Sequence, residues 1–196
     1  MADRTGRIQR KTGETDILVE LNLDGTGSYS VETGIPFFNH MLDLLSKHSL
    51  IDLNVQASGD LDVDYHHTVE DVGLAVGEAL DQALADRAGI TRYGASLVPM
   101  DEALCRVAVD LGGRPYLVYN LATTEPKIRD FDLWLLKHFF ESLVQKARMN
   151  LHVEQLYGEE PHHALESVFK GVARALRTAC AIDPRVRGVP SSKGVL

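Results

Sequence analysis

The strongest constraint on this chain is a five-residue cluster that it carries twice, as His66-His67-Thr68-Val69-Glu70 and His162-His163-Ala164-Leu165-Glu166. On a helix, the first His and the Glu of each copy stand at i and i+4 on one face, and the second His and the Glu at i and i+3. Adjacent histidines diverge by roughly 100°, given about 3.6 residues per turn. Neighbouring imidazoles of this kind suit two different ions, or one ion and a neighbouring chain, better than one shared ion. A metal site built from both copies is the first expectation.

The flanks of the cluster repeat as well. His40 precedes Leu53 by the same interval as His138 precedes Leu151, and His66 precedes Leu80 as His162 precedes Leu176; only the intervening loop changes length. Repetition at this scale is the mark of a duplicated unit. Alternating apolar and polar residues predict strands over 7–12, 16–23, 28–33 and 50–58, and again over 103–111, 116–121 and 151–156. Helical spacing predicts helices opening at Pro36, from His66 to about Ala88, over 130–149, and from His162 to about Ala181. The expected fold class is α+β: an internally duplicated half-domain of strands plus two helices, giving two sheets with helices packed on one face. The halves are expected at 1–90 and 91–196, forming one compact unit.

Composition excludes several classes. The 196 residues carry a formal net charge of −8, which argues against nucleic-acid binding because that needs a basic surface. No apolar run approaches the ~20 residues of a membrane span. Residues 1–7 lack the apolar core of a secretory signal. The only two cysteines, Cys105 and Cys180, have no CxxC partner and sit in apolar surroundings, which predicts buried free thiols and suits a cytoplasmic location.

Of eight histidines, six fall at matching positions: His40, His66 and His67 in one half, His138, His162 and His163 in the other. With Glu70 and Glu166 they make eight candidate ligands, four for each of two ions. Octahedral ions would keep positions open for water or substrate. Nitrogen and carboxylate donors without thiolate suit Mn, Fe, Co, Ni or Zn. His48 and His152 have no counterpart and read as structural. A single such histidine would ordinarily be a surface or core residue; the recurrence of the whole set carries the metal reading.

On these residues the chain resembles the imidazoleglycerol-phosphate dehydratases of histidine biosynthesis, over nearly its whole length. The resemblance rests on Arg10-Lys11-Thr12-Gly13-Glu14-Thr15, Gly34-Ile35-Pro36-Phe37-Phe38-Asn39-His40-Met41-Leu42, Asp64-Tyr65 through Asp71, Met100-Asp101-Glu102-Ala103, Pro161 through Glu166, and Pro190-Ser191-Ser192-Lys193-Gly194. It implies a hydro-lyase that converts imidazole glycerol phosphate to imidazole acetol phosphate. It further implies two Mn2+ ions per active site and a homo-oligomer, a 24-mer, whose sites are shared between subunits.

The chemistry explains such a ligand set. The proton to be lost is not acidic, because no carbonyl adjoins it. An imidazole ring metallated on both nitrogens becomes imidazolate and can expel the neighbouring hydroxyl, giving a diazafulvene that acidifies the C–H. Proton transfer needs a carboxylate not tied to metal, and Glu14 is the catalytic and substrate-binding candidate; Asp101 and Glu102 are weaker ones. The phosphate needs cationic donors. Lys170 stands one turn after Glu166, where the other half has Leu74, so one half is expected to bind phosphate and the other not. The resemblance adds Arg92, Arg114, Ser192 and Lys193, the last two only if the tail folds back or meets a neighbour. Two other readings compete: a binuclear metallohydrolase acting on a phosphoester, disfavoured because no candidate bridging aspartate falls in both HHxxE copies, and a metal-storage or structural assembly stapled by histidines.

Overall fold

The computed structural model describes residues 4–122 and 125–196. The first half runs β1 (Thr5–Lys11), β2 (Thr15–Asn22), β3 (Tyr29–Glu32), α1 (Pro36–Ser49), β4 (Asp52–Gly59) and α2 (His66–Leu84). The second runs β5 (Tyr93–Met100), β6 (Ala103–Asp110), β7 (Tyr116–Asn120), a small hairpin of β8 (Lys127–Ile128) and β9 (Phe131–Asp132), α3 (Trp134–Ala147), β10 (Asn150–Tyr157) and α4 (Pro161–Cys180).

The two sheets share one topology. The first is ordered β1-β2-β4-β3 and the second β5-β6-β10-β7. In each, the only parallel pair, β3 with β4 and β7 with β10, is the one joined through a helix. The alternation that predicted β2 is seen directly: Thr15, Ile17, Val19 and Leu21 are buried while their neighbours are half-buried. Each sheet turns its apolar face to helices of its own half, and the halves join helix to helix, α2 on α3 and α1 on α4. Phe38 of α1 meets Phe139 of α3 at 5.3 Å, and Phe140 meets Phe169 of α4 at 5.0 Å, all four rings buried. Each such ring contributes about 1.5–3 kcal/mol through burial. This aromatic joint fixes the backbones that carry His40 and His138.

Three expectations need correction. The strand β5 was not expected. It contains Gly94 and Pro99, which weaken a strand signal, yet it is an edge strand, where Pro is tolerated. Gly94 is there because a side chain would strike the carbonyl of Ala175 on α4; Gly6 on β1 does the same against Ala79 on α2. The helix expected to reach Ala88 ends at Leu84, since Ala85 and Arg87 both take positive φ (48° and 59°). The helix expected from Asp130 starts at Trp134, because the β8–β9 hairpin occupies the preceding residues and buries Phe131. Cys105 and Cys180 are free and buried, as expected.

Candidate metal and substrate site

The N-termini of α2 and α4 are both held by an upstream acid. Asp64 accepts the His66 N–H at 2.7 Å, and Glu160 accepts the His163 N–H at 2.8 Å. Each HHxxE cluster therefore begins in the first helical turn, and its adjacent histidines diverge as helical geometry requires.

His40, His162 and Glu166 are, among the described residues, a group whose potential ligand atoms all lie within 4.8 Å of one another. His40 Nε2 and His162 Nε2 stand 2.9 and 3.1 Å from Glu166 Oε1. Lys170 donates to Glu166 Oε2 at 2.5 Å and to Met100 Sδ at 3.3 Å. Burial pushes the Glu166 carboxyl up, but the Lys170 ammonium and the two imidazoles outweigh it and hold the group at about 2. Glu166 is thus anionic in an enclosed place, with one oxygen turned to the imidazoles and the other fixed by a cation. That donor set, two imidazole nitrogens and a carboxylate oxygen without sulfur, fits a divalent first-row ion such as Mn, Fe, Co, Ni or Zn.

The related group is looser. His66 Nε2 lies 3.4 Å from Glu70 Oε2, and the His66 and His138 rings are 5.1 Å apart. His138 Nδ1 is 3.3 Å from Glu141. Trp134 stands edge-on to His138 at 4.7 Å and beside His66 at 5.6 Å; in the first group Phe37 stands edge-on to His162 at 5.6 Å. Both groups cross the repeat: α1 of the first half serves α4 of the second, and α3 of the second serves α2 of the first. Sequence spacing alone left open which histidines share an ion.

The remaining two histidines point elsewhere. His67 Nδ1 is 3.0 Å from Asp60 and 3.7 Å from Glu14. His163 Nδ1 is 2.7 Å from Glu102 and 3.9 Å from Glu160, and its Nε2 is 3.6 Å from Asp101. These carboxylates raise both imidazoles above their usual value, Asp60 acting most on His67 and Glu102 on His163. Glu102 also accepts the Glu160 N–H at 3.0 Å and is held at about 2, with His163 the main cause. The two exposed acid–imidazole pairs, Glu14 with His67 and Glu102 with His163, are repeats of one another. Asp60 was not singled out from sequence; its place one residue past β4 and beside His67 was the signal. His48 and His152 join neither group.

The cationic residues divide. Lys170 is at the His40–His162–Glu166 group. Arg92 forms a bidentate pair with Asp110 (2.7 and 3.1 Å) and donates to the Pro190 carbonyl at 2.9 Å. Arg114 donates weakly to the Gly112 carbonyl at 3.4 Å. The tail that bears Ser192 and Lys193 therefore does fold back, onto Arg92. Clefts of about 670 Å³ beside Arg174 and about 560 Å³ over the outer face of β1-β2-β4-β3 are lined by none of the candidate ligands.

The family model described as imidazoleglycerol-phosphate dehydratase matches residues 33–176. The chain belongs to the imidazoleglycerol-phosphate dehydratase family. Relatives of that name from Rhodopseudomonas palustris (strain TIE-1) and Nitrobacter hamburgensis are each 58% identical over 194 residues, 98% of both chains. The crystal structure of the Staphylococcus aureus subsp. aureus N315 dehydratase superposes with a TM-score of 0.83 at 36% identity, covering 91% of this chain and 99% of that one. That of the Pyrococcus furiosus protein in complex with (S)-C348 gives 0.83 at 35%, covering 96% and 100%. The family is one of hydro-lyases in histidine biosynthesis, so the α+β duplication and the enzyme class expected from the sequence both hold. No helix is long and apolar enough to cross a membrane among the described residues.

Proposed function

We propose that this chain dehydrates imidazole glycerol phosphate to imidazole acetol phosphate, using two manganese ions per active site. The observation that carries the reading is the pair of repeat-related histidine–carboxylate groups, of which one, among the described residues, has a cation, Lys170, bonded directly to its ligand carboxylate. A near-symmetric imidazole ring can lie between near-symmetric groups, and the lysine gives it a direction.

His40, His162 and Glu166 would hold one ion; His66, Glu70 and His138 would hold the other. His67 and His163, turned outward, would complete the coordination of groups on neighbouring subunits of a homo-oligomer, which the family resemblance puts at 24 copies. When bound in these two groups, the ions would supply Lewis-acid activation of the substrate's imidazole ring, which makes the hydroxyl a better leaving group. Glu14, exposed and 3.7 Å from His67, carries the proton from carbon. Lys170 receives the phosphate; Arg92 anchors the tail that brings Ser192 and Lys193, beside Arg114. Because each ligand group draws on both halves, residues 1–90 and 91–196 work as one unit. A biosynthetic role of this kind places the protein in the cytoplasm.

The test is turnover by purified protein loaded with manganese. Absorbance of the enol or ketone product from imidazole glycerol phosphate is the expected result. Release of free phosphate would mark a metallohydrolase, and no turnover would sink the dehydratase reading.

A further inference from the structure

The β1–β2 turn that carries Glu14 is tied to α2 by a chain of hydrogen bonds. Arg10 Nε donates to Asp71 Oδ1 at 2.8 Å, and Thr15 Oγ1 donates to Asp71 Oδ2 at 2.6 Å. Thr15 and Asp71 are both buried. Thr15 Oγ1 lies 3.2 Å from Thr12 Oγ1, which accepts the N–H groups of Glu14 and Thr15 at 3.1 and 3.0 Å. A carboxylate only accepts, so Asp71 fixes the direction of the whole chain. The Thr15 proton is committed to Asp71. Thr12 must then donate to Thr15, which leaves its lone pairs for the backbone of Glu14. The setting of the Glu14 turn is thus decided from inside the protein.

The internal repeat provides the comparison. Gly6 against Ala79 and Gly94 against Ala175 fix the register between halves. In that register Arg10 corresponds to Val98, Thr15 to Ala103, Asp71 to Ser167, and Glu14 to Glu102. The tie between strand and helix survives in the second half as Ser167 Oγ donating to the Val98 carbonyl at 2.6 Å. It is neutral, and no hydroxyl leads from it to the Glu102 turn. Glu102 is held instead by His163 and the Glu160 N–H; the Glu14 side chain has no hydrogen bond of that kind among the described residues. A neutral tie therefore satisfies the fold. A buried carboxylate paired with a half-exposed guanidinium, which costs desolvation that a neutral tie does not, needs a different reason to sit at one copy only.

We infer that Asp71 is a positioning residue for Glu14: with Arg10 and Thr15 it fixes the turn, so that a carboxylate left free of hydrogen bonds keeps its place beside His67. This rests on the reading of Glu14 as the proton carrier.

The test is a double-mutant cycle in the manganese-loaded enzyme. Asp71→Asn can donate as well as accept, so the direction of the chain is lost, and kcat should fall about ten- to a hundredfold, the scale of a small misplacement of a reacting group. KM and manganese content should stay within about twofold, because the Asp71 side chain follows Glu70 in the chain but bonds to Arg10 and Thr15, away from both ligand groups. Thr15→Val should act in the same direction, and Thr15→Ser, which keeps the hydroxyl, should restore kcat. In a Glu14→Gln background, Asp71→Asn should have no further effect. An equal proportional loss in both backgrounds, or a loss carried by KM or metal content, would make Asp71 a structural residue and overturn the proposal. If Asp71→Asn does not fold, the Thr15 pair decides, and full kcat in Thr15→Val overturns it. Glu14→Gln with wild-type turnover would instead remove the reading beneath it, and the proposal with it.

Discussion

His40 Nε2 and Glu166 Oε1 stand 2.9 Å apart although 126 residues separate them in sequence. The contact joins α1 of one half to α4 of the other, so neither half can build this group alone. Duplication here has not produced two sites side by side. It has produced two groups, each assembled across the seam.

Glu166→Gln tests that seam. The amide removes the charge that balances buried Lys170, whose side chain is 17% exposed beside 11% for Glu166. Breaking a buried pair in this way costs about 3–5 kcal/mol, read as a lower melting temperature of the metal-free protein. Manganese bound per chain, measured by mass spectrometry, should drop by the share of one group while the His66–His138 group keeps its ion. Unchanged metal content would refute the assignment of Glu166 as a ligand.

The Glu102–His163 pair makes a pH prediction. Glu102 is held at about 2 against a usual 4.5, so its contribution is present above 4.5 and is lost as pH falls toward 2. His163 is raised above 6.5, so its contribution is full below 6.5 and is lost as pH rises through the raised value. The pair is therefore intact between about 4.5 and 6.5 and weakens on both sides. In metal-free protein, an NMR titration should show the His163 imidazole protonating above 6.5, and Glu102→Gln should bring it back toward 6.5. A wild-type midpoint at or below 6.5 would contradict the pairing.

The ligand types were legible in the sequence because a helix imposes its spacing locally: His66 and Glu70, like His162 and Glu166, meet through one helical turn. Their grouping was not. Which α1 or α3 histidine joins which cluster depends on the Phe38–Phe139 and Phe140–Phe169 packing, a long-range matter that no local pattern encodes. The strand β5 escaped for a related reason. Gly94 looks like a strand breaker until α4 is seen pressing a carbonyl against it. Arg92 shows the same limit: its cationic character was visible, but its Asp110 partner and its hold on the tail were not.

Gly6→Ala and Gly94→Ala test the close approach of strand to helix in the two halves. In each case the new methyl would meet a backbone carbonyl, of Ala79 or of Ala175, which cannot rotate away. Overpacking of this kind costs about 1–3 kcal/mol. Because the contacts are repeat-related, the two variants should lower the denaturation midpoint by similar amounts. Gly13→Ala, where nothing lies within 4 Å of the added carbon, should be close to neutral. A large gap between Gly6→Ala and Gly94→Ala would show that the halves do not pack alike.

Arg92 separates stability from substrate binding. Its guanidinium and the Asp110 carboxylate are only 11% and 16% exposed, so Arg92→Ala strands a buried charge, with a stability loss again of about 3–5 kcal/mol. It also removes the donor to Pro190 that holds the tail carrying Ser192 and Lys193. The double variant Arg92→Ala/Asp110→Ala has no stranded charge and should recover much of the stability. It should not recover the tail. Hydrogen exchange over 188–194 should be faster in both variants. KM for the phosphorylated substrate should rise about tenfold or more in both, as expected when a charge-assisted contact is lost. A double variant with wild-type KM and fast exchange would show that the tail takes no part in holding the phosphate.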